Sequence, residues 1–224
     1  MGQVIGEVLP LALGVAISPI PIIAAILMLL SPKARGTSLG FLFGWLLGIV
    51  VAVVVFTLLS SILPESGSDS PKPIAGVVKI ALGLLLVGLA VRQWRARPRD
   101  GAAPVLPTWM SAIDSLTAGR GFALGFALAA VNPKNLLMGV AAGLAVGSDS
   151  PNIGATVVAI VVYTVIAAST VAVPVVAYLL AAQRLATPLE ALRGWLTRNN
   201  ATVMAVLLLI IGVVVIGKGL ADFS

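Results

Sequence analysis

One lysine of this chain stands where its surroundings are otherwise apolar: Lys134, in the run Asn132-Pro133-Lys134-Asn135. A charged lysine at the centre of a membrane span costs at least about 2.5 kcal/mol, so it should face the protein interior or a water-filled path. Its ammonium offers three donors, and the amides of Asn132 and Asn135 can both donate and accept. That set suits an anionic or polyhydroxylated ligand. The second unusual run is Ser18-Pro19-Ile20-Pro21. Proline removes a backbone donor and clashes with the preceding turn, and in hydrocarbon the freed carbonyls must find protein or trapped water. Two such breaks would present half-helix ends and unwound backbone to a substrate. The candidate substrate-binding residues are therefore Ser18, Pro19, Pro21, Asn132, Pro133, Lys134 and Asn135, joined by Tyr163 and Thr164 from a later apolar stretch. The competing reading is structural: two proline kinks, with Lys134 bonded to the carbonyls they free.

What is absent narrows the chemistry. The chain has no Cys and no His, which removes thiol chemistry, the usual zinc sites and imidazole acid–base catalysis. It carries no nucleotide-binding P-loop. Its eight carboxylates all lie in loops or at the ends of apolar stretches, so no membrane-buried proton relay is expected. No enzymatic activity, no cofactor and no metal is expected.

The elements that must hold these residues are membrane helices. Hydrophobic residues make up 59% of the 224, charged residues only 10%, and mean hydropathy is +1.12; a soluble domain averages roughly 25% charged. A bilayer crossing needs about 20 apolar residues. Six stretches qualify or nearly so: Val8–Leu30, Leu39–Leu63, Ile74–Val91, Phe122–Val146, Ile153–Ala182 and Ala201–Gly217. With six crossings, one side receives ten basic residues (Lys33, Arg35, Arg92 to Arg99, Arg120 and Arg184 to Arg198) and the other only Lys72, Lys79 and Lys218. The excess marks the cytoplasmic side and puts both termini outside the cytoplasm of a plasma-membrane protein. It reads as a topology signal, with no role for nucleic acid. A rival arrangement makes stretches one and four re-entrant and splits the basic residues less cleanly. Lys79 and Lys218 are expected to snorkel at the outer ends.

The two halves resemble each other. Ala12-Leu13-Gly14 precedes the first break, and Ala123-Leu124-Gly125 precedes the second. Three crossings per half would invert the second copy, giving a 3+3 inverted repeat with proline-broken helices 1 and 4. The expected division is 1–92, 93–120 and 121–224: a first repeat, a basic cytoplasmic loop with an interfacial helix, and a second repeat. Trp109, Ile113 and Leu116 form an apolar stripe in that loop. Thr187-Pro188-Leu189-Glu190 reads as a helix start, with Leu189, Leu192 and Leu196 on one face and Trp195 beside it. Gly40, Gly44 and Gly48 allow a close helix contact, inside the bundle or in a homodimer.

Six spans, the Pro-containing breaks and Asn132-Pro133-Lys134 together resemble the LysE superfamily of exporters. Ser31-Pro32-Lys33, Gly121-Phe122, Trp195-Leu196, Asn199-Asn200 and the stretch from Ile211-Gly212 to Lys218-Gly219-Leu220 are similar, within it, to the actinobacterial glycopeptidolipid- or sulfolipid-addressing proteins (GAP or Sap). The resemblance implies an inner-membrane protein that moves a surface glycolipid toward the outer envelope beside large lipid-export machinery. The superfamily also implies an alternative, export of amino acids or other small solutes. A third reading is a structural partner of a lipid-export complex. Membrane electron carriers of similar plan need paired cysteines, which this chain lacks.

Overall fold

The computed structural model describes residues 2–60, 73–97, 116–150 and 152–223. Every element among them is an α-helix: α1 (Gly2–Ala16), α2 (Pro19–Leu29), α3 (Ala34–Ser60), α4 (Pro73–Arg95), α5 (Ala118–Ala130), α6 (Pro133–Asp149) and α7 (Ile153–Ala221). At 1.5 Å per residue, α3 is about 40 Å long, more than the roughly 30 Å hydrocarbon core. Four helices are long and apolar enough to cross a membrane. The pairs α1–α2 and α5–α6 would each add one, bent by 50° and 60° at their breaks. The chain is thus a multi-pass membrane protein, with four to six candidate spans among the described residues.

Local chemistry explains the breaks. Pro19 opens α2 and Pro133 opens α6, positions where the missing amide is not needed and the fixed φ already suits a helix. The residue before each proline is pushed out of the helical region: Ser18 sits at φ −86°, ψ 108° and Asn132 at φ −61°, ψ 122°.

Helix packing follows the small residues. Gly40, Gly44 and Gly48 of α3 lie against the backbone at Ala118, Phe122 and Phe126 of α5. A Cβ on Gly44 would come 2.0 Å from the Phe122 carbonyl oxygen, so only glycine allows this approach. Farther along α3, Gly139, Gly143 and Gly147 of α6 meet Ala52, Phe56 and Ser60. In both contacts the two chains advance together, which is parallel packing. By contrast α4 runs antiparallel to the end of α7, Gly76 meeting Gly219 and Gly83 meeting Gly212. The glycine stripe of α3 is therefore filled within the chain, and the case for a homodimer on that face falls away.

Three further expectations are corrected. No helix starts at Thr187. Helix α7 is kinked at Ala181 (φ −146°, ψ 49°), and its second limb runs unbroken over Arg184–Ala221. Pro188 is the fifth residue of that limb, one place past the four amides that have no acceptor within the helix, so the bond it forgoes is the limb's first, to the Arg184 carbonyl. Leu189 and Leu196 are buried in the core, whereas Leu192 and Trp195 are exposed, so these residues do not form one outward apolar face. Lys79 does not snorkel: it is 8% exposed and pairs with Asp222 at 3.0 Å, while Lys218 lies 3.7 Å from Glu7. Trp109 and Ile113 lie outside the described residues; Leu116 packs half-buried against the core.

Candidate functional site

At the first break, proline chemistry frees specific carbonyls. The Ser18 amide turns to Val15 O at 3.1 Å, which leaves Gly14 O without its usual i+4 donor. Lys134 Nζ donates to that Gly14 carbonyl from α6, 120 residues away. Thr170 Oγ1 of α7 donates to the Ala16 carbonyl at 2.5 Å. The Ser18 hydroxyl caps nothing on α2. Both satisfied carbonyls thus take their donors from distant helices.

At the second break the chain serves itself. Asn132 Oδ1 accepts from the Lys134 amide at 3.1 Å, capping α6. Asn135 Nδ2 reaches back to Leu128 O at 2.8 Å. The Asn132 amide doubles onto Ala127 O with that of Val131, at 3.0 and 2.9 Å.

The two breaks are brought together by the Lys134–Gly14 bond, and beside it Met138 of α6 and Ile211 of α7 press on Gly14. Lys134, Asn135 and Ser18 are 4%, 2% and 3% exposed. Pro19 and Pro21 are buried, Asn132 is half-buried and Pro133 is exposed, so Pro133 acts through the backbone break. Tyr163 is buried and Thr164 half-buried on the first limb of α7. Neither hydrogen-bonds to either break among the described residues. Gly14 and Thr170 were not among the candidate residues. Gly14 was legible as part of the repeated Ala-Leu-Gly; nothing in the sequence paired Thr170 with Ala16.

The site keeps unused polarity. Lys134 spends one of its three donors on Gly14. Asn135 Oδ1 and Thr164 Oγ1 are buried with no partner among the described residues. Buried polar atoms without partners are rare in native proteins, and Lys134 with its sequence neighbour Asn135 offers both donors and an acceptor to a polar ligand. Among the described residues no cluster of acidic side chains could hold a metal ion.

Neither the curated proteins nor the solved structures contain a match to this chain. The family model described as Sap, sulfolipid-1-addressing protein, does match, over residues 8–221. That match spans both breaks and every helix that touches them, and the chain belongs to the Sap, sulfolipid-1-addressing protein family.

Proposed function

We propose that this chain is a plasma-membrane transporter, or transport accessory, that moves a glycolipid of the glycopeptidolipid or sulfolipid type toward the outer envelope. The family supports a role in lipid addressing. One observation carries the site: Lys134, buried beside one break, is bonded to a carbonyl freed by the other. The ammonium's two remaining donors, Asn135 Oδ1 and Thr164 Oγ1 are the groups that would meet the hydroxyls or anionic group of a headgroup near the midplane. A membrane interior tolerates such unwound, polar backbone only where protein or a cavity lines it.

The proposed frame is six crossings in two inverted repeats, 1–92 and 121–224 around the loop 93–120, with both termini outside the cytoplasm. Parallel packing of α5 and then α6 along successive parts of α3 supports a through-going fourth span, since a re-entrant pair would double back. Reciprocal packing supports the pseudo-symmetry: α3 lies on α5–α6, α7 on α1–α2, and α4 on the end of α7. This plan is shared by many secondary transporters.

The competing reading makes Lys134 purely structural, and its bond to Gly14 is the observation in that reading's favour. The deciding measurement is the envelope lipid profile of cells lacking the chain, restored with the natural sequence or with Lys134→Ala at matched membrane levels. Loss of a surface glycolipid, rescued by the first but not the second, supports the midplane site. Rescue by both reduces Lys134 to a helix tie. An unchanged profile in the deleted cells removes the lipid reading and leaves small-solute export, tested by efflux from loaded cells.

A further inference from the structure

Away from the two breaks, a cleft of about 480 Å³ opens where the first turn of α3 meets the start of α5. Lys33, Arg35, Thr37 and Thr117 line it. Neither Lys33 nor Arg35 has an acidic partner among the described residues, and neither does Arg120, whose amide is held by Thr117 Oγ1 at 3.4 Å. Lys33 and Arg35, which meet no carboxylate among the described residues and line a concave space, are placed for an anion. Phosphate and sulfate oxygens accept strong, charge-assisted bonds from lysine and arginine.

The surface below the cleft indicates what carries that anion. Residues four apart share one face of a helix. Along α3, Arg35 is followed by Leu39 and Phe43, 36% and 61% exposed; along α5, Ala118 of the cleft is followed by Phe122, 38% exposed. A cationic cleft at the end of a membrane helix thus continues into apolar stripes on two adjoining helices. That arrangement matches an amphiphile, with an anionic head and alkyl tails. We propose that this cleft binds the phosphate- or sulfate-bearing headgroup of a membrane lipid, with the tails along Leu39, Phe43 and Phe122, as a surface site separate from the midplane residues. The inference deepens the lipid-handling reading and rests on it.

The full chain, purified in a non-ionic detergent, would be titrated with dioctanoyl phosphatidic acid, dioctanoyl phosphatidylcholine and inorganic phosphate while its unfolding temperature is followed. Phosphatidic acid should stabilise the chain and the other two should not. Lys33→Ala/Arg35→Ala should weaken that binding by about tenfold or more. Both residues are exposed, so the variant should fold. Arg184→Ala/Arg198→Ala, which removes equal charge elsewhere, should leave the binding unchanged. Stabilisation by inorganic phosphate at the same concentration would overturn the lipid source and leave a site for a free anion. Binding that survives the cleft substitution, or that falls equally in the control, would overturn the site. If the cleft binds while Lys134→Ala cells export normally, only the midplane reading fails. If it does not bind while Lys134→Ala abolishes export, only this inference fails.

Discussion

The two helix breaks begin from similar sequence and solve the same problem in opposite ways. Each follows an Ala-Leu-Gly turn, and each restarts a helix on a proline. At the second, Asn132 caps α6 and Asn135 Nδ2 satisfies Leu128 O, so both of these bonds are made within eight residues, and Asn135 Oδ1 is left without a partner among the described residues. At the first, Ser18 caps nothing and the freed carbonyls at Gly14 and Ala16 are met by Lys134 and Thr170 from other helices. The second break takes the donors for its own backbone from its own segment. The first is held open to its neighbours, and its shape depends on what those neighbours do. In a membrane interior, where water cannot substitute, that dependence couples α1 and α2 to α6 and α7.

The sharpest way to break this comparison is Lys134→Met, which keeps the bulk and removes the donor. Leaving the buried Gly14 carbonyl unmet should cost about 2 kcal/mol, read as a lower unfolding temperature in detergent. Hydrogen exchange should rise around residues 14–22 and stay near its original rate around 127–131. Equal loosening at both breaks would show that the asymmetry is wrong. Next in size, Thr170→Val should cost about 1 kcal/mol, the usual scale for a hydrogen bond between membrane helices. Its effect should also appear at the first break, although the substitution lies on α7. The smallest contrast is between matched caps. Asn132→Ala should cost about 1 kcal/mol, whereas Ser18→Ala should change stability by less than about 0.5 kcal/mol, because the hydroxyl makes no cap. A Ser18→Ala loss as large as that of Asn132→Ala would mean that the first break is capped after all.

Much of the architecture was legible. Hydropathy marked the apolar stretches, and Pro19 and Pro133 marked the two restarts, because a missing amide and a fixed φ act within one turn. Lys134 announced itself by the cost of a charge in hydrocarbon. Other readings failed where two chemistries fit one sequence. Thr187-Pro188 looks like a helix start, but the limb is already under way from Arg184 and carries Pro188 as its fifth residue, where only its first intrahelical bond is lost. The Gly40, Gly44 and Gly48 stripe announced a close contact without naming its occupant. Lys79 looked like a snorkelling residue until Asp222, 143 positions away, came to it.

The sequence by itself determined that this is a helical membrane protein, that two of its helices are interrupted, and that one cation is buried among them. These properties follow from hydropathy and from backbone restrictions acting between near neighbours. Only the tertiary structure decided that Lys134 serves the other half's carbonyl, that Thr170 completes the same break, and that α5 rather than a second subunit fills the glycine stripe. A freed carbonyl specifies that some donor must come. Which donor comes is settled by the helices that close packing brings within reach.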